Sequence, residues 1–599
     1  MDSRASCASR DFLLSSDEEG EDEIFADFTV EEIAQLREQQ RRKEVLSVGE
    51  DDNSSSENGD LEDEEIDNAS DVDIFVDEEE GEEYSSDQSS EEEEATDAVH
   101  WSSTLREINV EPFAIAHGPT KDLGPNAKSK DFFNLFIDDT FLDEIAANSI
   151  AYARLKGDAN FTTTRQEISA FLGLNILLGI HSLPQISMLW ESDEFVASEG
   201  FKKTMPKHRF FTVSKYIHIS NPSNEDASDL LCKVRPLVTL LERKFAEAFV
   251  PGKNISVDEG LVKFNGRLSF KQYMPMKPNK FGIKVWLLAD SDCYYIPRFQ
   301  VYLGKNRTNS ELFTRKGLGY YVVWTLGEPY LDANRHFFFD NFFTSVDLVK
   351  SLHERNSYAC GTVRLHRRDL PVDLKRIKLV GGEIRTRQSG NLVATLWRDK
   401  RVVSMLSTNV QPETEIHAVQ QRNTRGRMKR VVPDDAKKKP EVVSVYNSGM
   451  NGVDVNDQYR SYYTPGTTSR KWWKYLLWFF IDLAIVNAFI LEKLAGRGRR
   501  QLPFRRELAR LLIAGFNGYK RPSSSGQRAV STFTTEQNIG GHRLGKMQCR
   551  KRACKMCAKA GRKRNDGRTF ETSHGCEQCG VPLCRIMRGD RPCFIEWHS

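Results

Sequence analysis

Four aspartates carry the chemistry that this sequence suggests first. Asp258 stands in Ile255-Ser256-Val257-Asp258-Glu259, Asp340 in Phe337-Phe338-Phe339-Asp340-Asn341, and Asp454 and Asp457 in Gly452-Val453-Asp454-Val455-Asn456-Asp457-Gln458. Two of them close apolar, strand-like runs, and the other two lie one helical turn apart. Side chains alternate along a strand, so Ser256 and Asp258 share a face while Ile255 and Val257 take the other. Residues three apart on a helix are neighbours, so Asp454 and Asp457 point into one space. Four carboxylates gathered this way suit hard cations such as Mg²⁺, which prefer oxygen ligands and keep positions open for phosphate and water. Two such ions about 4 Å apart serve in-line cleavage of a phosphodiester. By spacing alone, aspartates at strand ends and in first helical turns are equally ordinary capping residues.

A second constellation sits near the C-terminus: Cys554-x2-Cys557, Cys576-x2-Cys579, then Cys584, Cys593 and His598. Thiolates two residues apart wrap one tetrahedral Zn²⁺, and two such pairs followed by further Cys and His predict two interleaved structural sites. Seven of the 11 cysteines fall between Cys549 and Cys593, which indicates metal binding in a reducing compartment rather than disulfides. Residues 541–599 carry 14 Lys+Arg against 5 Asp+Glu, and a segment this small has little core of its own, so its fold should require the metal.

The elements that must position these groups follow from composition and periodicity. A chain of 599 residues has room for several domains, and its net charge of −2 conceals an asymmetry. The first 100 residues hold 37 acidic against 6 basic groups, leaving 78 basic against 49 acidic in the rest. The acidic tail, with a short helical pattern only at 29–44, cannot bury enough apolar surface to fold. It is expected either to act as a solvating tail or to compete, as a polyanion, with nucleic acid for the basic body. No cleavable signal opens the sequence. The long apolar stretch 475–491 contains Asp482 and Asn487 and is short for a membrane span, so a buried helix is expected, with no membrane partner.

From about residue 131 to 251 the pattern is helical. It then shortens to strand candidates at 254–264, 281–289 and 296–303, followed by a helical stretch, a strand at 335–340, a helix at 345–355 and a strand at 358–363. Strands first and strand-helix-strand afterwards is the order of an RNase H-like α/β core. Between 364 and 440 this order breaks down into a hairpin, 392–397 with 402–407, and a polar basic loop, 417–439, read as an inserted β-rich domain. A turn at Asn447-Ser448-Gly449 then leads into the helix of Asp454 and Asp457. The expected divisions are an acidic tail at 1–105 and a first helical part at 106–252. The catalytic core follows at 253–363 and 441–457, around the insertion at 364–440. A second helical part at 458–520, a linker at 521–545 and a zinc domain at 546–599 complete the chain.

The residues around the aspartates narrow the reading further. Val257-Asp258-Glu259-Gly260-Leu261-Val262-Lys263-Phe264-Asn265-Gly266-Arg267, Met276-Lys277-Pro278-Asn279-Lys280-Phe281-Gly282-Ile283-Lys284, Asp340-Asn341-Phe342-Phe343-Thr344-Ser345 and Gly452-Val453-Asp454-Val455-Asn456-Asp457-Gln458-Tyr459 resemble, in order and separation, the motifs of piggyBac-type transposases. The resemblance runs from about residue 131 to the C-terminus. It implies a cut-and-paste DNA transposase with an RNase H-like core, Mg²⁺-dependent strand cleavage (Mn²⁺ as a substitute), a transient hairpin on the transposon end and insertion at TTAA. The family's catalytic carboxylates fall on Asp258, Asp340, Asp454 and Asp457.

The same resemblance places Arg364 and Arg367, in Gly361-Thr362-Val363-Arg364-Leu365-His366-Arg367-Arg368, at positions that contact target DNA. Guanidinium groups suit bidentate phosphate binding, although a solvated basic loop reads the same way. In Arg470-Lys471-Trp472-Trp473-Lys474, Lys471 and Trp472 mix cation and aromatic ring as binders of unpaired bases do, and Trp472 and Trp473 equally suit a core. Lys277, Lys280 and Lys284 are expected along the active-site cleft, although exposed Lys on a strand surface reads the same way. The Cys-rich segment resembles the family's DNA-binding cross-brace zinc domain, which holds eight ligands. Cys549 or His574 stands in line for the eighth, and Met587 occupies the place of a second member of the third pair. The resemblance further implies double-stranded DNA as partner and at least a homodimer. With the basic runs 427–430, 437–439, 550–552 and 562–564 as import signals, it also implies a nuclear location. The alternative is a domesticated descendant that binds DNA as a chromatin or regulatory protein without mobility.

Overall fold

The computed structural model describes residues 99–275, 280–305, 310–412, 440–519, 541–547, 551–564, 567–584 and 592–598, with short strands at 417–418, 421–422, 428–429, 438–439 and 538–539. The acidic tail to residue 98, its 29–44 helix, Lys277, Cys549, Met587 and most of the 521–545 linker lie outside the described residues. The chain divides into two compact units, Met1–Tyr519 and Lys520–Ser599.

The first unit is an α/β fold around one mixed, nine-stranded sheet. Its strands are β1 (Asn254–Lys263), β2 (Gln272–Tyr273), β3 (Phe281–Asp290), β4 (Arg298–Val301), β5 (His336–Phe339), β6 (Tyr358–Thr362), β7 (Ile384–Ser389), β8 (Leu392–Arg398) and β9 (Val402–Ser407). Across the sheet the order is β2-β3-β1-β5-β6-β9-β8-β7, with β4 also on β3. β1 pairs antiparallel with β3 and parallel with β5, and β5 pairs parallel with β6. The apolar, aromatic run Phe337-Phe338-Phe339 is fully buried, as a central parallel strand requires.

The hairpin expected at 392–407 is present, and its strands join the central sheet. β9 adds antiparallel to β6, Met405 opposite Thr362, so β7, β8 and β9 extend the central sheet. A strand's unpaired edge accepts another strand whatever the intervening sequence, and pattern alone does not reveal that docking. Contacts cross the expected divisions elsewhere as well. Residues 101–112, assigned to tail and helical domain, already pack along the sheet: Trp101 Nε1 donates to Asp369 O at 2.8 Å, Ser102 bridges Gln388, and the Glu111 amide donates to the Tyr358 hydroxyl at 2.6 Å. Asn447-Ser448-Gly449, read as a turn, closes the helix Glu441–Gly449 instead. There the close approach of Phe338, whose ring carbons would lie 2.5 Å from an added Cβ, explains Gly449 as packing rather than chain reversal.

Helices precede and follow the sheet in the chain and pack on one another. In chain order, the principal ones are α1 (Asp139–Leu155), α2 (Arg165–Ile180), α3 (Lys207–Tyr216), α4 (Arg235–Ala248), α5 (Leu318–Gly327), α6 (Val346–Glu354), α7 (Glu441–Gly449), α8 (Gly452–Ser461), α9 (Trp472–Leu494) and α10 (Gln501–Ile513). α1 and α2 start on side-chain caps, Asp138 to the Phe141 amide and Thr164 to the Glu167 amide. α10 lies so close on α2 that a Cβ at Gly173 would sit 2.7 Å from Ala509 O, and Ser169 Oγ donates to Leu512 O at 2.8 Å.

α9 is, among the described residues, the one helix long and apolar enough to cross a membrane, and 94% of its most apolar window is buried inside the fold. Its mid-helix charge is matched: Arg505 of α10, fully buried, donates to Asp482 at 2.6 Å and to Tyr463 O at 2.9 Å. A buried pair of this kind is costly to break from one side, because the remaining charge has no water to turn to. Asp482→Ala should therefore destabilise the helical layer by about 3–5 kcal/mol. Hydrogen exchange of α9 and α10 will show this as early opening, whereas unchanged protection would mean that the pair carries no such weight.

Candidate active site and candidate metal centres

Strand alternation places the first carboxylate. Val257 and Ile255 enter the core shared with Phe337 and Phe339, while Ser256, Asp258 and Gly260 face the opposite side of the sheet. The parallel ladder between β1 and β5 ends at Val257 opposite Phe339, so Asp258 and Asp340 are the next residue on each of two adjacent strands. Neighbouring strands run about 4.8 Å apart, which puts the two carboxylates side by side at the ends of the pairing. α8 crosses this same face: a Cβ at Gly452 would meet Ser256 Oγ at 2.4 Å, and one at Gly260 would lie 3.8 Å from Asp457 Oδ1. Asp454, between those two contacts along α8, acts electrostatically on Asp258.

The electrostatics register this crowding. Burial, with Glu259, Asp340 and Asp454 adding negative charge, raises the Asp258 carboxyl to about 8. Burial and Glu259 also raise Asp340, against the pull of the Phe342 amide and of Lys284. The Asp340 carboxylate accepts from the Phe342 amide at 2.9 Å, and the Asp340 carbonyl accepts from Thr344 Oγ1 at 2.7 Å, so a tight turn holds it. Asp457, one turn further along α8, pairs with Arg460, whose guanidinium stacks 4.1 Å from the Phe479 ring centroid. The donor set fits hard cations: carboxylates that repel one another, half-buried at Asp258, Asp340 and Asp457 and exposed at Asp454, gain most from bound positive charge. These oxygens are more widely spaced than a single-ion cage, since the two metal-capable groups that close to within 4.8 Å among the described residues both lie in the second unit. Ligands distributed around two ions about 4 Å apart need no such closure.

One residue near this centre escaped the sequence reading. Glu259 follows Asp258 and adds charge to both central carboxylates; its direct adjacency to Asp258 was its only signal. Arg364 and Arg367, expected on DNA, are turned toward the loop after Asp340. Arg364 Nε donates to Asn341 Oδ1 at 3.2 Å, and Arg367 Nη2 donates to Phe342 O at 2.7 Å. Lys284 lies over Trp286 and Phe342, 4.1 and 5.0 Å from their centroids, beside Asp340, whereas Lys280 is exposed on the hairpin between β2 and β3. Trp472 is half-buried and packs edge-on to Phe270 at 5.4 Å, and Lys471 bonds the Tyr152 hydroxyl at 3.1 Å, so both are tied into the helical layer.

The second unit is built around two four-residue clusters, Cys554, Cys557, Cys584 and Cys593 in one and His542, Cys576, Cys579 and His598 in the other. In the first, Cys557 Sγ lies 3.9 Å from Cys584 Sγ and 3.6 Å from Cys593 Sγ. A tetrahedron with Zn–S bonds of about 2.3 Å has edges of about 3.8 Å. Burial raises the Cys557 and Cys593 thiols to about 12, so four thiolates here would need a cation. In the second, His542 Nδ1 lies 3.4 Å from Cys576 Sγ and 3.2 Å from Cys579 Sγ, and His598 Nε2 lies 3.6 Å from Cys579 Sγ. The clusters alternate along the chain, as two interleaved sites require.

Among the described residues it is His542, rather than His574, that joins Cys576, Cys579 and His598, while Cys549 lies outside them. His542 opens a strand (His542–Lys546) that pairs antiparallel with His574–Cys576, Leu544 opposite Cys576. His574 itself faces Ser573 Oγ at 3.3 Å. A domain start at residue 546 would have excluded His542. Its distance from any Cys pair hid it in the sequence, and only the strand pairing brings it within reach.

With this geometry in hand, the comparisons with known proteins are specific. A family described as Transposase IS4 matches residues 128–489. PiggyBac transposable element-derived protein 3 of Homo sapiens is 29% identical over 483 residues, 78% of this chain and 76% of that protein. The Chimeric ERCC6-PGBD3 protein of Homo sapiens is also 29% identical over 483 residues, but the match spans 42% of its length. The cryo-EM structure of the piggyBac transposase synaptic complex with hairpin DNA shares the fold, with a TM-score of 0.58 at 23% identity over 80% of this chain and 100% of that one. With well over half of its length matched, this chain belongs to the piggyBac-type transposase family.

Proposed function

We propose that this chain is a cut-and-paste DNA transposase of the DDD/DDE type, excising an element and inserting it at TTAA. The observation that carries this reading is the placement of Asp258 and Asp340 on adjacent parallel strands beneath the helix of Asp454 and Asp457. Strands β4-β3-β1-β5-β6, with the last three parallel, follow the order expected of an RNase H-like core, where such carboxylates gather. Asp258, Asp340, Asp454 and Asp457 would hold two Mg²⁺ ions. When bound, the ions supply activation of the attacking oxygen and stabilisation of the leaving oxygen in an in-line displacement. The chain's own residues orient that centre: the Phe342 amide fixes the Asp340 carboxylate, Arg364 and Arg367 hold the turn behind it, and Arg460 steadies Asp457. Water would attack phosphorus first, breaking the bond to the 3′-oxygen and releasing a 3′-hydroxyl, which would then attack a second phosphodiester and displace its 3′-oxygen in turn.

The two Cys/His clusters would hold two structural Zn²⁺ ions in a terminal DNA-binding unit, and the handling of two element ends calls for at least a homodimer acting in the nucleus. A second reading, a DNA-binding regulatory protein without mobility, is favoured by relatives whose names mark them as derived from a transposable element. The intact set of four aspartates favours the enzyme.

Excision of a donor flanked by matching inverted repeats separates the two readings. Wild-type protein should excise with TTAA restored. Asp340→Asn should lose more than the about 10–100-fold that outer-shell partners of a metal carry, with DNA binding retained. No excision by wild type alongside intact DNA binding would establish the regulatory reading. Metal analysis addresses the second unit: two zinc equivalents per chain are expected, falling to one in His542→Ala, and a content that ignores this substitution would remove His542 from the ligand set.

A further inference from the structure

The hairpin between β2 and β3 carries a feature that neither metal centre uses. Tyr273 and Phe281 are register partners across that hairpin, with ring centroids 4.9 Å apart, and they remain 50% and 40% exposed. Large aromatic rings seldom pair in the open, because stacking on each other leaves their outer faces in water. Lys271 reaches over the Phe281 ring, 5.0 Å from its centroid, and is anchored by donating to Gly266 O at 3.1 Å. Lys280 and Arg267 are exposed beside them. Lys271, Lys280 and Arg267 give this surface positive charge, and no Asp or Glu occurs from Gly260 to Ala289, so it attracts polyanions.

The sheet fixes where the rings face. Phe281, Ile283, Val285 and Leu287 alternate onto one side of β3, and Leu287 lies directly opposite Asp258. The aromatic pair is therefore on the carboxylate face of the sheet, six residues or about 20 Å along the strand from Asp258. That is a few nucleotides of single strand. We propose that Tyr273 and Phe281, framed by Lys271, Lys280 and Arg267, form a stacking platform for unpaired bases of the DNA whose backbone enters the carboxylate centre. Rings accept any base through its π-face, and the cations hold the phosphates, so the site reads strandedness rather than sequence.

The inference rests on the reading of this chain as a DNA-processing enzyme, but its test reads binding rather than cleavage. The full chain is titrated, by fluorescence anisotropy in a chelating buffer, with a duplex bearing a single-stranded extension of four thymidines and with the same duplex whose extension is abasic. Wild type should bind the thymidine extension about tenfold more tightly than the abasic one. Tyr273→Ala/Phe281→Ala should erase that margin, Tyr273→Phe should keep it, and Lys271→Ala should weaken both ligands alike and flatten the salt dependence. Equal binding of the two extensions by wild type, or a margin that survives the double alanine variant, overturns the platform. Loss of the margin in a protein that never cleaves DNA would sustain the platform while defeating the enzymatic reading.

Discussion

Parallel pairing between β1 and β5 is the constraint on which the rest depends. Once Ile255 and Val257 lie against Phe337 and Phe339 in a dry core, the alternation of strand side chains leaves Asp258 no choice of face. Asp340, one residue past the last parallel pair, then stands beside it. A slip of one residue would bury both carboxylates among phenylalanines, at a cost far above that of any surface rearrangement. The apolar core thus acts as the register key for a polar centre.

Holding like charges together needs compensating structure, and the fold supplies it from elements far apart in sequence. α8 settles on β1 because Gly452 and Gly260 leave no Cβ in the way, which brings Asp454 and Asp457 over Asp258. Arg460 and Lys284 bring positive charge to the edges, each packed on aromatic rings that restrict its motion. Behind α8, α9 fills the interior of the helical layer, with its internal carboxylate answered by Arg505. The carboxylate face and the helical layer are therefore one packing problem, although the chain builds them from segments on either side of the sheet. In the second unit the problem is solved differently: a small core of Leu583, Phe594 and the cysteines is organised around two tetrahedra of donor atoms.

Some of this was legible without coordinates. The switch from helical to strand periodicity near residue 252, the shared face of Ser256 and Asp258, and the burial of the helix around Asp482 all follow from local pattern and charge. The strands found at Asn254–Lys263, Phe281–Asp290 and His336–Phe339 fall where apolar alternation and aromatic content put them. The grouping of Cys554 with Cys557 and of Cys576 with Cys579 is a matter of two-residue spacing. Less accessible was everything set by docking: β9 joining β6, residues 101–112 lying along the sheet, and the arginines after β6 turning toward Asn341 and Phe342.

Neighbours within a few positions set which residue types alternate, where helices and strands run, and that cysteines pair two residues apart. Only the tertiary structure decided that Asp454 lies over Asp258, that His542 completes the second Cys/His cluster, and that Tyr273 and Phe281 stand exposed on the carboxylate side of the sheet. Those relations join residues tens to hundreds of positions apart. They are set by strand register and by close backbone approach at glycine, which no local pattern encodes.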